Sequence, residues 1–347
     1  MKQKFCSSRS LLLKAALAFA VGSALLVQPY NVIGAQISHE LKKSYKRPET
    51  IPFPAENPYT PEKAALGKML YFDPRVSRAQ NMNCASCHNP SFGWEAPVSK
   101  AIGAQNTELG RHSPTILNQA WGKKFFWDGR ATTLEEQAKG PIEADVEMNM
   151  PLHMLVERLN RVEEYAQWFN RVFPEDGITG DTIAKAIATY ERTVVATYSP
   201  FDRWLDGDEV AISAAAKRGF TLFNGKARCA DCHSGWNFTD DKFHDIGLAS
   251  EDIGRGKLEP HNQKAQFAFK TPGLRDLTQR MPFMHDGSLA TLEDVVVHYV
   301  SGGIQRPSLS PQMKPLDMND QEVKDLVAFL QTLTGQKDIV PLPILPN

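Results

Sequence analysis

Apolar positions recur at helical spacing along most of the chain. Residues 152–169 and 181–197 carry the pattern, the second with Ile183, Ile187, Tyr190 and Val194 on one stripe. Asn319 and Glu322 stand at capping-box spacing. Val323, Leu326, Val327, Leu330 and Leu333 then share a face, and Gly335 is the stop. After Thr291 a further stripe, Leu292, Val295, Val296 and Tyr299, turns Tyr299 inward. His298 falls about 100° away, on the face of Asp294. No run alternates with strand period, so the pattern predicts an all-α chain with Pro- and Gly-rich loops.

The predicted elements occur in two sets. Asp128-Gly129 with Thr133-Leu134-Glu135 reappears 158 positions later as Asp286-Gly287 with Thr291-Leu292-Glu293. Ser113-Pro114 and Thr271-Pro272 keep the same offset, and a helical phrase precedes each set, Ala65–Phe72 and Ala216–Phe223. Internal duplication into two small domains follows, residues 59–205 and 206–347, with the connection around 198–212. Residues 36–58, with Pro48, Pro52, Pro54 and Pro58, read as an extended lead-in. The second set has a longer loop, and its extra residues around Ser250–Ala265 read as a surface excursion. One position breaks the frame: Pro141 stands where the second set has Tyr299.

The N-terminus differs from the rest. Lys2, Lys4, Arg9 and Lys14 precede a 13-residue apolar run, Ala15–Val27, shorter than the roughly 20 residues of a transmembrane helix. Residues 1–35 read as a signal peptide cleaved after Ala35, with an uncleaved anchor as the alternative. Export to the periplasm follows, and no transmembrane span remains after cleavage. The four positive charges of the leader, taken from a chain of net charge −1, leave −5. No basic run or stripe suggests a nucleic-acid partner.

Cys6 belongs to the leader. The other four cysteines stand as Cys84-Ala85-Ser86-Cys87-His88 and Cys229-Ala230-Asp231-Cys232-His233. Two disulfides, redox dithiols or half of a zinc site would use four cysteines. C-x-x-C-H repeated in an exported chain points instead to two c-type haems, the thiols bonded to haem and His88 and His233 as axial ligands. The sixth iron position then decides the chemistry. Tyr299 is the candidate in the second half, with Met281 and Met284 as rivals, whereas Pro141 cannot bind metal.

With both C-x-x-C-H sites, Phe126–Arg130, Pro282–Gly287 and Phe329–Gly335 resemble the bacterial di-haem cytochrome c peroxidase superfamily, from about Pro61 to Gly335. Ordinary members carry methionine at the position of Tyr299; tyrosine resembles the MauG branch, which matures the tryptophan tryptophylquinone of methylamine dehydrogenase. A phenolate is a hard anionic donor that favours ferric or higher iron, whereas thioether sulfur favours ferrous iron.

The resemblance implies that hydrogen peroxide, or dioxygen plus electrons, reacts at an open His88 haem. Gln137 and Glu147 would be its distal pair, Pro141 would line the same site, and Trp127 would pass charge between the haems. The implied partner is a methylamine dehydrogenase precursor. The alternative is a peroxidase fed by a small cytochrome or cupredoxin, and a pure electron carrier with both irons six-coordinate is a third reading. No histidine matches the one that blocks this haem in resting peroxidases; His112 is the nearest. The resemblance also implies one calcium between the haems, bound partly by an asparagine and partly by backbone carbonyls near Arg280 and Pro282 that do not depend on side-chain type. Here Arg111-His112-Ser113-Pro114 replaces that asparagine with a poor ligand for Ca²⁺.

Overall fold

The computed structural model describes residues 37–336 and 339–347, so the leader and its cleavage point at Ala35 lie outside the described residues. Its helices are α1 (His39–Ser44), α2 (Pro61–Phe72), α3 (Cys84–Cys87), α4 (Leu134–Glu143), α5 (Leu152–Asn160), α6 (Glu163–Val172), α7 (Gly180–Thr193), α8 (Pro200–Leu205), α9 (Ala214–Phe223), α10 (Leu292–Ser301) and α11 (Asp320–Gln331). Two two-residue strands, β1 (Phe243–His244) and β2 (Phe269–Lys270), pair antiparallel. Among the described residues no helix is long and apolar enough to cross a membrane.

Helix starts follow side-chain capping. Thr60, Thr133, Thr179, Ser213, Thr291 and Asn319 each accept a first-turn N–H, and Thr179, Thr291 and Asn319 complete capping boxes. In each half the helix before the C-x-x-C-H loop crosses a later helix at a glycine. A Cβ on Gly67 of α2 would lie 1.9 Å from the Ala186 carbonyl of α7, and one on Gly219 of α9 would lie 2.0 Å from the Asp325 carbonyl of α11. Leu66, Leu70, Leu155, Phe169 and Ile183 build the first core; Phe201, Phe220, Phe238, Leu326 and Phe329 build the second.

Several boundaries differ from the pattern. Residues 152–169 form two helices, because Val162 is extended and the acidic pair Glu163-Glu164 opens a new N-terminus. The helix expected to reach 197 stops at Thr193, since Val194 turns extended and its carbonyl accepts from Asn118 N at 2.9 Å. The connection at 198–212 contains α8, whose Phe201, Trp204 and Leu205 belong to the second core. The lead-in includes α1, and Tyr45, 2% exposed, packs its ring against Phe201, Phe220 and Phe238.

The halves meet through positions 158 apart. His112 N donates to His285 O at 2.8 Å, and Lys270 N donates to Trp127 O at 2.7 Å. Helices α4 and α10 keep the same offset at both ends. The bridges Phe125–Ala131 and Phe283–Leu289 also correspond. The loop expected to be a surface excursion is exposed at 257, 258 and 260–264, and its start also grips the first half. Arg111 bonds Asp252 through Nε at 2.6 Å and Asp128 through Nη1 at 2.7 Å, while Arg255 donates to Asp128 O at 2.9 Å.

Candidate haem sites and the region between them

Each C-x-x-C-H segment folds as one tight turn. Asn83 and Ser86 cap α3, and His88 N donates back to Cys84 O at 2.9 Å. In the second half His233 N donates to Cys229 O at 2.8 Å. His88 Nδ1 donates to Pro114 O at 2.8 Å, and His233 Nδ1 donates to Phe238 O at 2.9 Å. Carbonyl oxygens only accept, so Nδ1 carries the hydrogen and Nε2 is left for a metal. Burial lowers both imidazole pKa values, which keeps them neutral. All four cysteines are unpaired, so the disulfide alternative has no support here. Burial pushes the Cys229 thiol up to about 12.

Beside Cys229, Cys232 and His233 lies a largely apolar cavity, partly open to solvent. Tyr299 lines it with Leu292, Val295 and Val296, the stripe read from the sequence. His298 is off the cavity and bonds Ile246 O at 2.9 Å. Met281 is 49% exposed and away from the lining, whereas Met284 lines it. Burial, then the nearby Cys232 and Cys229, pushes the Tyr299 phenol well up. A cation in the cavity would oppose that shift and favour the phenolate. Two thiols, a free imidazole nitrogen and an apolar wall fit covalently held haem.

Gln137 and Pro141 lie four residues apart in α4, and Glu147 follows in the turn after it. Burial and then Glu147 push the Cys87 thiol up to about 11, which places Glu147 beside the first attachment site. The Glu147 carboxyl is itself raised by burial, with Arg130 opposing. Trp127 donates Nε1–H to His112 O at 2.8 Å. It lines both the second cavity and the cleft between the halves. His285 faces Trp127 edge-on at 6.5 Å and stacks on Phe269 at 3.6 Å.

The sequence reading missed the buried charges around His112. Glu95 Oε1 accepts from Arg280 Nε at 3.0 Å and from Thr115 N at 3.0 Å. Its Oε2 lies 3.3 Å from His112 Nε2. The Glu95–Arg280 pair joins residues 185 apart, and no local pattern announces it. A second trio, Cys232, Asp240 and His244, has ligand atoms within 4.8 Å of one another. Attachment to haem would convert the Cys232 thiol to a thioether, so that trio cannot also be a thiolate metal site.

Residues 61–210 match the di-haem cytochrome c peroxidase family, and residues 216–334 match the cytochrome c family. The methylamine utilization protein MauG of Methylorubrum extorquens is 54% identical over 309 residues, 88% of this chain and 88% of that protein. The MauG of Methylophilus methylotrophus is 49% identical over 309 residues, 88% of this chain and 92% of that protein. The crystal structure of a MauG-like protein associated with microbial copper homeostasis aligns with TM-score 0.77 at 28% identity, over 84% of this chain and 95% of that one. The chain belongs to the di-haem cytochrome c peroxidase family. It is an oxidoreductase with two cytochrome-type domains, and its function is MauG-like.

Proposed function

We propose that the mature chain works in the periplasm, draws electrons from a methylamine dehydrogenase precursor at a distance, and delivers them to hydrogen peroxide. The halves, divided at about residue 205, are duplicates that carry one covalent haem each, and the common offset of 158 supports that reading. Cys84, Cys87 and His88 would hold one haem and Cys229, Cys232 and His233 the other, and the two groups would supply the redox chemistry. Pro141 offers no ligand and leaves the first site open. Glu147, raised by burial, holds a proton to give to the departing oxygen, with Gln137 four residues before Pro141 on α4. Peroxide takes two electrons and two protons and yields two waters; the protein substrate supplies the electrons. Trp127 offers a π system between the halves, and Tyr299 would supply a phenolate to the second site.

The observation that carries the reading is the shared cavity of His233, both cysteines and Tyr299, with Trp127 on its wall. The test mixes the haem-loaded protein and peroxide with either a methylamine dehydrogenase precursor or a reduced small cytochrome. Quinone absorbance should develop on the precursor. Rapid cytochrome oxidation with no quinone would instead establish the peroxidase alternative.

A further inference from the structure

We infer that the place between the halves where the family resemblance implies calcium is closed by protein side chains alone, Glu95, His112 and Arg280, so that this chain needs no divalent cation there. Calcium takes oxygen ligands, and the side chain at the implied ligand position has none to give. His112 is 2% exposed, and both of its nitrogens are committed. Nδ1 lies 3.1 Å from Val98 O and 3.1 Å from Ser99 O, carbonyls that only accept, so this nitrogen carries a hydrogen. Nε2 faces the Glu95 carboxylate.

The positive charge of the region is already present. Arg280 places Nε and Nη2 at 3.0 and 2.9 Å from Glu95 Oε1, and Nη1 at 2.8 Å from both Gly273 O and Arg275 O. The network therefore occupies a carboxylate and four carbonyls that would otherwise attract a cation. A divalent ion beside this buried guanidinium would meet repulsion in a poorly screened setting. The backbone is shaped for the arginine: a Cβ on Gly93 would lie 2.3 Å from Arg280 Cγ, and Gly93 has φ +59°. Glu95 and His112 come from the first half and Arg280 from the second, so the network also joins the halves.

The haem-loaded protein, dialysed against EGTA, should contain less than about one-tenth of a calcium per chain by mass spectrometry, a fraction that means no built site. Its thermal midpoint and visible spectrum should be unchanged by EGTA or by added CaCl₂. Glu95→Gln should lower the midpoint by several degrees with no recovery in CaCl₂; if it fails to fold, His112→Gln serves the same comparison. One calcium retained per chain, a spectrum that EGTA alters and CaCl₂ restores, or a variant rescued by CaCl₂ would each overturn the inference. None of these readouts depends on which protein is oxidised, so they stand apart from the quinone test.

Discussion

Tyr299 shares its cavity with Met284, and a haem iron held there would take one of the two at most. Position favours the tyrosine, because α10 turns it toward Cys229 and Cys232 with three apolar residues of the same stripe. The ligands differ in kind: phenolate stabilises oxidised iron and thioether stabilises reduced iron. Tyr299→Met should therefore raise the second haem's potential by roughly 0.1 V or more, within the ~0.8 V that axial ligands span. The low-spin spectrum should change with it. An unaltered spectrum in redox titration would assign the iron to Met284. The tight C-x-x-C-H turns and the inward face of Tyr299 were legible because residue spacing and helix period are local signals. Glu95 and Arg280 were not, since their pairing exists only after the two halves close on one another.

Among the elements, the two glycine crossings carry the most packing information. Gly219 lets α9 approach α11 so closely that a methyl group would sit 2.0 Å from a backbone oxygen. Neither helix can yield without moving core residues Phe220 and Phe329, both fully buried. Gly219→Ala should destabilise the haem-loaded protein by about 1–3 kcal/mol or more, the usual range for overpacking. Gly110→Ala, where nothing lies within 4 Å, should stay within about 0.5 kcal/mol. Equal denaturant midpoints for the two variants would mean that the crossing is looser than drawn. Helical periodicity announced these helices but not their close approach, because an interior glycine reads as a weakness until its neighbour is known. The same limit hid the break at Val162 and the burial of α8, where short local signals yielded to tertiary packing.

For the molecule as a whole, the recurrence of elements at an offset of 158 was legible and the interlock of the halves was not. Composition announced the exposed stretch at 260–264 of the 250–265 loop but not the clasp of Asp252 and Arg255 on the first half. Buried charge also sets how stability responds to pH, in two opposed directions. Against burial, which raises them, Arg111 and Arg192 hold Asp128 and Glu135 below the ordinary carboxylate range. Their contribution is present above the unfolded pKa and is lost as pH falls through the folded one. Glu191 behaves oppositely. Arg192 turns its guanidinium to Glu135, at 2.6 and 3.0 Å, and burial pushes Glu191 from 4.5 up to about 8. Between those values the folded chain keeps a proton that the unfolded chain releases, so stability falls as pH rises through the window. At pH 7 the loss is on the order of 3 kcal/mol. Glu191→Gln removes that titration. Its stability relative to the parent should be near zero at pH 4.5 and about 3 kcal/mol higher at pH 7, read from denaturation midpoints at several pH values. A difference that stays flat with pH would show that Glu191 is ionised in the folded protein and has a cationic partner.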